Sequence, residues 1–387
     1  MLENNALPYL KVHPDDNVIV ALKYLDSGTS LSIENQQLVL QQNVPAKQKI
    51  FINEMSEGES VIMYGVLVGR VQTHIPKGGL MTAENTKHAE GLYSYKGFNH
   101  QWKIPDVSNF INKTFNGYKR KDGRVGTSNY WLFIPMVFCE NRNMDVIKEA
   151  LQKELGYAQS DKYNRFVRLL INASENKTDI HEVDIASSAI INDRVFKNVD
   201  GIKFLNHTGG CGGTRQDAAT LSSLLAAYAD HPNVGGVAVL SLGCQHLQTQ
   251  FFLDDLKKRN PSFDKPIYIF EHQEYNSEEQ LICDAIRKTF LGLIEINKIE
   301  REPSPLSKLT IGVKCGGSDG FSGISANPAI GYASDILVAL GGKILLAEFP
   351  ELFGAEQELI DRCVNGDIAQ KFINLMETYN ETAIKLG

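Results

Sequence analysis

The sequence has 387 residues, 43% of them hydrophobic, with a formal net charge of -7 and six cysteines. This length predicts two or three domains with a large buried core, and so few cysteines argue against a disulfide-stapled scaffold. The acidic balance, with no basic cluster, argues against nucleic-acid and anionic-membrane partners and leaves a small molecule as the expected partner.

The sequence also bears on where the protein works. No apolar run approaches the roughly 18 residues of a membrane span. The first residues, MLENN, lack the basic segment and apolar core of a signal peptide. We therefore expect a cytoplasmic protein, for which a symmetric homodimer is the commonest oligomeric state.

The amino-terminal part of the chain has the pattern of an all-β module. Residues 10–90 are rich in Val and Ile and are interrupted by turn signals such as DSG, SEG and PKGG. Short apolar runs divided by turns at this spacing predict strands rather than helices. We expect a β domain over residues 1–95 and a linker over 96–116, where Gly, Pro and Asn weaken the periodicity.

From residue 117 the pattern changes to alternating strands and helices. Apolar runs at 129–139, 235–240 and 266–270 predict strands, and helical spacing of apolar residues predicts helices at 143–155, 215–229 and 277–294. This alternation favours an α/β domain with a largely parallel sheet. We place it at 117–300 and a further α/β segment at 301–387, so the expected fold is multidomain, all-β and then α/β.

The loop at residues 314–323, KCGGSDGFSG, predicts a ligand site. It follows the apolar run 309–313, which we interpret as a buried strand. Four glycines permit a close approach of the backbone, and Lys, Cys, Ser and Asp supply reactive groups. The alternative is a connecting loop whose polar residues cap the next helix. The spacing fits neither the phosphate-binding loop nor the dinucleotide fingerprint.

Two further turns repeat this combination of glycine with reactive side chains. Residues 206–215, NHTGGCGGTR, precede a predicted helix, whose first amides could hold a carboxylate. Residues 242–246, LGCQH, end a predicted strand. If these turns share one sheet edge with the 314–323 loop, Cys211, Cys244 and Cys315 converge with His207 and His246. Such a group could bind iron, zinc or an iron-sulfur cluster, although without Cys-x-x-Cys pairing each thiol could equally be a buried apolar residue.

Three segments together resemble the altronate and galactarate dehydratase family: YKRKDGRVGTSNYW at 118–131, the 314–327 loop, and EFPELFGAE at 348–356. The amino-terminal module resembles the SAF-type β-clip domain of that family. The resemblance covers nearly the whole chain, and altronate dehydratases are its nearest group. It implies a hydro-lyase that converts a sugar acid to 2-dehydro-3-deoxygluconate with iron(II) or another divalent metal such as manganese, in hexuronate catabolism. An iron-sulfur cluster stays open.

The resemblance also implies the roles of individual residues. It assigns catalysis to Lys314, Ser318, Asp319 and His207, and substrate binding to Gly316, Gly317, Asn327 and Arg215. Lys314 would bind the substrate carboxylate or transfer a proton, and Asp319 would bind a hydroxyl or the metal. The candidate metal ligands are Cys211, Cys244, Cys315, His74 and His88, although exposed loop histidines such as the last two are commonly only solvated.

The chain departs from the family pattern at three places. Several members carry a Gly-His-Lys turn where this chain has Lys47-Gln48-Lys49, and a His-x-His pair where it has Met81-Thr82-Ala83. Members also continue for about another domain beyond the equivalent of Gly387, so we expect the carboxyl-terminal part to be missing. Three alternatives therefore stay open: a galactarate dehydratase, a sulfolactate-type sulfo-lyase, and a non-catalytic sugar-acid-binding protein.

Overall fold

The computed structural model describes residues 7–34, 36–89, 91–97, 100–158, 162–184, 193–317 and 319–387. The chain forms two compact units. Unit 1 combines Met1–Ile111 with Thr310–Gly387, and unit 2 is Asn112–Leu309. Among the described residues, no helix combines the length and apolar character needed to cross a membrane.

The first part of unit 1 is the expected all-β module. Its strands are β1 (Tyr9–Leu10), β2 (Val18–Ala21), β3 (Ser30–Ile33), β4 (Gln36–Val39), β5 (Lys49–Phe51), β6 (Ser60–Met63), β7 (Val66–Val71) and β8 (Thr86–His88). They pair in three small antiparallel groups, β1-β2-β5, β3-β4 and β6-β7-β8. In β3, Leu31 and Ile33 are buried while Ser30 and Ser32 are exposed, as the two-residue period of a strand dictates.

Unit 2 contains the expected parallel sheet. Its elements are β9 (Thr114–Lys119), β10 (Val125–Gly126), β11 (Tyr130–Pro135), α1 (Asn141–Glu154), α2 (Lys162–Glu175), β12 (Gly201–Phe204), α3 (Arg215–Asp230), β13 (Val234–Ser241), α4 (Thr249–Arg259), β14 (Ile267–Glu271), α5 (Glu278–Ile296) and β15 (Glu302–Pro305). The parallel strands lie in the order β12-β11-β13-β14, and β9 pairs antiparallel with β10 and β15.

Helices cover both faces of the parallel sheet. Apolar residues of α1 and α5 pack on one face, and those of α3 and α4 pack on the other. The chain passes from β11 to β12 on one side and then returns to β13 on the other side of β11. In sheets of this kind, ligands bind beyond the carboxyl ends of the strands where the order reverses. This places the expected site beside the ends of β11 and β13.

The last part of unit 1 adds β16 (Thr310–Val313), α6 (Ala326–Ala339), β17 (Lys343–Leu346), α7 (Glu356–Asp361) and α8 (Gly366–Leu386). The prediction of a buried strand before the 314–323 loop is wrong. β16 pairs in parallel with β17 alone, and Ile311 and Leu345 are 42% and 60% exposed. A sheet of two strands lacks the neighbours that would cover these side chains, and an apolar run in sequence does not reveal how many neighbours a strand has.

Trp131 provides a test of packing in unit 2. Its indole is fully buried, and a Cβ at Gly292 of α5 would lie 2.1 Å from the ring atom Cη2. We expect Gly292→Ala to lower the free energy of unfolding by about 1–3 kcal/mol, because overpacking outweighs the gain of about 1 kcal/mol in helix propensity. Chemical denaturation measures the change.

Gly331→Ala is the matched control for that substitution. Gly331 also lies inside a helix, α6, but a Cβ there would meet nothing within 4 Å. The Gly331→Ala variant should gain up to about 1 kcal/mol in free energy of unfolding, from helix propensity alone. Equal effects of the two substitutions would contradict the packing argument.

Candidate functional site

Two glycine-rich turns meet beyond the carboxyl ends of β11 and β13. The His246 amide donates to the carbonyl oxygen of Gly210 at 3.1 Å, which joins the turn after β13 to the turn before α3. Gly210 has φ +97, and a Cβ there would lie 2.3 Å from the carbonyl oxygen of Met136, just past β11. Only glycine combines this backbone conformation with this close approach. The two turns are therefore fixed at the edge where ligands are expected.

His207 lies at this edge with both ring nitrogens engaged by the backbone. Its Nδ1 accepts from the Gly209 amide at 3.1 Å, so Nε2 carries the proton and donates to the carbonyl oxygen of Pro135 at 2.7 Å. Asn141 donates to the carbonyl oxygen of His207 at 2.8 Å. Through these hydrogen bonds the imidazole holds the turn that precedes α3 against the end of β11. Its catalytic role stays a prediction, and proton transfer by it would require one of these bonds to open.

A cleft of about 810 Å³ opens between α3 and α4 at the same edge. This volume lies within the range of pockets that enclose small molecules. Arg215, the first residue of α3, lines it, and its exposed guanidinium has no ion pair or hydrogen bond among the described residues. The remaining lining residues combine polar and apolar groups: Gly213, Ala218, Ala219, Ser222, His246, Phe251, Asp254 and Asp255.

A capping box stabilises the amino-terminal end of α3, and Arg215 is the first residue of this helix. Thr214 Oγ1 accepts from the Asp217 amide, and the Asp217 carboxylate accepts from the Thr214 amide at 2.7 Å. Donation from the Thr214 amide and hydroxyl to the Asp217 carboxylate holds the pKa of Asp217 below its ordinary value. A cation at the amino end of a helix adds to the positive dipole end, and the combination is suited to a carboxylate.

The predicted thiols are exposed rather than buried. Cys211 and Cys244 lie in the two adjoining turns of unit 2, and Cys315 lies in the loop of unit 1. The interpretation of each as a small buried apolar residue is therefore wrong, because glycine-rich turns leave their side chains in solvent. In the part of the chain that the structure describes, no three His, Cys, Asp or Glu side chains form a group that could hold a metal ion.

In unit 1 the 314–323 loop is held by two ion pairs, one at its first residue and one in its middle. Lys314 Nζ lies 2.9 Å from Glu348 Oε1, and this hydrogen bond raises the pKa of Lys314. Asp319 pairs with Lys47 of the β module, whose hydrogen bond lowers the pKa of the carboxyl group. Lys47 also lies 5.0 Å from the ring centroid of Phe321. Both predicted charged groups are thus ionised and already paired.

The backbone around this loop is unusual in a way that sequence reasoning missed. Five described non-glycine residues have a positive φ, and three of them lie against the loop: Lys47, Tyr64 and Glu348. A Cβ at Gly323 would lie 2.7 Å from the Tyr64 hydroxyl, and a Cβ at Gly320 would lie 2.8 Å from Cβ of Lys47. Such conformations persist where the surroundings enforce them, often at functional sites. No sequence signal identifies left-handed lysine, tyrosine or glutamate residues.

The other predicted site residues are placed as follows. A Cβ at Gly316 or Gly317 would meet nothing within 4 Å. Asn327 is exposed in the first turn of α6, and Ser318 lies outside the described residues. His74 pairs with Glu54 at 2.8 Å. His88 lies 6.2 Å from the ring of Phe353, between ring centroids. The close approaches in the loop therefore belong to Gly320 and Gly323 rather than to the predicted Gly316 and Gly317.

The contact between Lys47 and Asp319 can be tested by titration. We expect Lys47→Met to raise the pKa of Asp319 toward its ordinary value, because the cation that favours the carboxylate is removed. Carbon-detected NMR of the labelled carboxyl group measures this change. Lys77→Met is the control, since Lys77 donates to the uncharged Gln36. An Asp319 pKa that is the same in the Lys47 variant as in the wild type would contradict the pairing.

Family models match three consecutive segments of the chain. Residues 7–89 match a model described as "Altronate/galactarate dehydratase SAF domain". Residues 117–297 match "D-galactarate dehydratase/Altronate hydrolase, second domain", and residues 306–387 match "D-galactarate/Altronate dehydratase, C-terminal".

Curated relatives agree with these matches. The chain is 30% identical over 376 residues to an altronate dehydratase of Escherichia coli and 31% identical over 384 residues to one of Bacillus subtilis. Each alignment covers 97% of this chain and 67% of the relative. A (2R)-sulfolactate sulfo-lyase subunit beta of Chromohalobacter salexigens is 26% identical over 268 residues, which is 69% of this chain and 55% of the relative.

Proposed function

Since this chain belongs to the altronate and galactarate dehydratase family, we propose that it removes water from a sugar acid, with D-altronate as the first candidate and 2-dehydro-3-deoxy-D-gluconate as the product. The observation that carries this proposal is the cleft of about 810 Å³ with Arg215 at the start of α3, where the guanidinium has no partner among the described residues. A six-carbon acid needs a pocket that encloses it, polar groups within that pocket for its hydroxyls, and a cation for its carboxylate.

In this proposal the Arg215 guanidinium and the amides of Arg215 and Gln216, which the capping box does not use, bind the substrate carboxylate. Their positive charge also stabilises the negative charge that develops on the carboxylate when the neighbouring carbon loses its proton. Asp254 and Asp255 on the opposite wall accept hydrogen bonds from substrate hydroxyls. Asp255 already accepts one from Ser222 at 2.5 Å, which fixes its orientation. A catalytic role for Lys314 and Asp319 of unit 1 stays a separate proposal, and each would first have to leave its present partner.

Dependence on iron(II), manganese or a cluster also stays a proposal. Among the described residues, no group of three His, Cys, Asp or Glu side chains is close enough to hold a metal ion. These residues therefore do not fit a preformed metal site. We therefore assign no step to a metal. Turnover measured over a titration of iron(II) or manganese, under anaerobic reducing conditions, tests the dependence.

A coupled assay for the 2-keto product tests the function itself. The purified chain is given D-altronate, galactarate or sulfolactate in separate reactions, with and without added iron(II). Formation of 2-dehydro-3-deoxy-D-gluconate from altronate supports the proposal, whereas product from galactarate alone corrects the substrate. Calorimetric binding of altronate without any product would support a sugar-acid-binding protein instead.

The sulfolactate reaction tests a second candidate function. The match to a sulfo-lyase subunit covers 69% of this chain and favours an elimination in which sulfite rather than hydroxide leaves. Both reactions begin with loss of a proton next to a carboxylate, so the same Arg215 contact serves either one. Sulfite release, measured with a thiol-exchange dye, separates them.

A further inference from the structure

A buried carboxylate and an imidazole form a pair at the carboxyl edge of the unit 2 sheet, and the proposed function leaves both without a role. Glu140 follows β11 and is only 1% exposed. His272 follows β14, and its Nδ1 lies 3.0 Å from Glu140 Oε1. The side chain of His272 is 30% exposed. The pair therefore links a carboxylate in the protein interior to an imidazole that solvent or a ligand can reach.

Helix capping does not explain Glu140. The residue occupies the N-cap position of α1, yet its side chain makes no capping hydrogen bond. Its second oxygen instead accepts from Asn143 Nδ2 at 2.8 Å, and Asn143 is itself 3% exposed. Burial of a carboxylate is unfavourable by several kcal/mol unless such partners compensate for it. The cluster is therefore organised around the bond from Glu140 to His272.

This bond determines which nitrogen of His272 can react. A carboxylate only accepts, so Nδ1 carries the proton and Nε2 keeps a free lone pair. Among the described residues, Nε2 has no hydrogen-bond partner. His207 differs, because the backbone occupies both of its nitrogens. His272 is thus an imidazole with an oriented and available base.

One turn connects the pair to the cleft. A Cβ at Gly243 would lie 2.7 Å from Oε1 of Gln273, the residue after His272. His246 of the same turn lines the cleft. β13, which leads into this turn, lies directly beside β14, which leads into His272. The imidazole and the cleft therefore lie at the same edge of the sheet.

We propose that His272 is the proton-transfer group of the dehydration and that Glu140 is the residue that positions it. This proposal rests on the proposed function. Nε2 takes the proton from the carbon next to the carboxylate, and the C–H electron pair forms the double bond as the C–O bond to the neighbouring hydroxyl breaks. The same proton passes to the departing hydroxyl, which leaves as water, and the enol becomes the 2-keto acid. Glu140 stabilises the intermediate imidazolium.

Two substitutions with matched controls test these roles. His272→Asn should lower kcat by about 10²-fold or more with KM within about twofold, because it removes a proton-transfer group. The control is His181→Asn, since His181 is an exposed histidine of the same unit. Glu140→Gln should lower kcat by about tenfold or more. Its control is Glu278→Gln, which removes an exposed pair with Arg142.

A spectroscopic readout separates positioning from a structural role. Nitrogen NMR of the neutral ring should show His272 protonated at Nδ1 in the wild type and as a mixture of tautomers in Glu140→Gln. A melting temperature close to that of the wild type shows that the variant is folded. Loss of melting temperature with unchanged kcat and tautomer would overturn the positioning role.

The failures of the two proposals are distinguishable. If the wild type converts altronate and His272→Asn converts it equally fast, the assignment of His272 is overturned and the proposed function stands. If the wild type releases no product from altronate, galactarate or sulfolactate, the proposed function fails and the role of His272 fails with it. The tautomer measurement in the free protein still decides whether Glu140 orients the ring.

Discussion

Replacing Asp230 with alanine is expected to lower the free energy of unfolding of unit 2 by about 1.5–3 kcal/mol, the contribution of hydrogen bonds to a charged group, because Arg124 keeps Asp122 as a second partner. Asp230 ends α3 and is 5% exposed. Its carboxylate accepts from both terminal nitrogens of Arg124, at 2.9 and 2.7 Å, and from Asn260 at 2.8 Å. Nearby lies Lys265, whose pKa burial lowers to about 7, and removing the Asp230 carboxylate, which favours the charged amine, should lower that pKa further.

Urea denaturation followed by circular dichroism measures this loss, and Asp264→Ala is the control. Asp264 pairs with Lys121, whose side chain is 84% exposed. Removing the Asp264 carboxylate should therefore lower the free energy of unfolding by no more than about 1 kcal/mol. A loss for Asp230→Ala as small as that of the control would show that the cluster contributes little.

The lowered pKa of Asp230 predicts that the stability of unit 2 depends on pH. Burial acts to raise the pKa of Asp230, but hydrogen bonds from Arg124 and Asn260 outweigh it and hold the pKa below its ordinary value. A carboxyl group with a lowered folded pKa stabilises the fold fully at pH values above its unfolded pKa of about 3.9. That stabilisation is lost as the pH falls through the folded pKa. Asp230→Asn should therefore unfold with a weaker dependence on acid than the wild type.

Local patterns predicted the largely parallel sheet of unit 2 and several of its elements, but they did not predict β12 or α4. The predicted helix at 215–229 is observed as Arg215–Asp230, because apolar spacing and the capping residues of a helix lie within one stretch of sequence. The strand predicted at 235–240 is observed as Val234–Ser241 for the same reason. Periodicity fails where burial depends on distant neighbours, as for Thr310–Val313, which lies in a sheet of two strands.

The site was predicted less completely than the fold. The sequence singled out Asp319, but Lys47 lies 272 positions away, and neither its left-handed backbone nor its pairing leaves a local signal. Likewise, Glu140 and His272 are separated by 132 positions and meet only because β11 and β14 end at one edge of the sheet. Glycine-rich turns reveal where a site lies, whereas the partners of its charged groups depend on the tertiary structure.

Arg215→Met is expected to weaken binding of altronate by about 30- to 150-fold, which corresponds to the roughly 2–3 kcal/mol of a charge-assisted bond to a carboxylate. Calorimetry measures this loss independently of turnover. In the assay, KM should rise by a similar factor while kcat falls less, because the contact exists in both the ground state and the transition state. Arg259→Met is the control, since Arg259 is an exposed arginine at the opposite end of α4 from the cleft residue Phe251.

Arg215→Lys refines the interpretation of that result. Lysine keeps the charge but loses the planar pair of donors that matches a carboxylate, so it should recover only part of the affinity if the contact is bidentate. Full recovery would show that charge alone suffices at the start of α3. Affinity unchanged in Arg215→Met would remove the cleft from the proposed function, and the search for the carboxylate site would then pass to Lys314, whose Nζ would first have to leave Glu348.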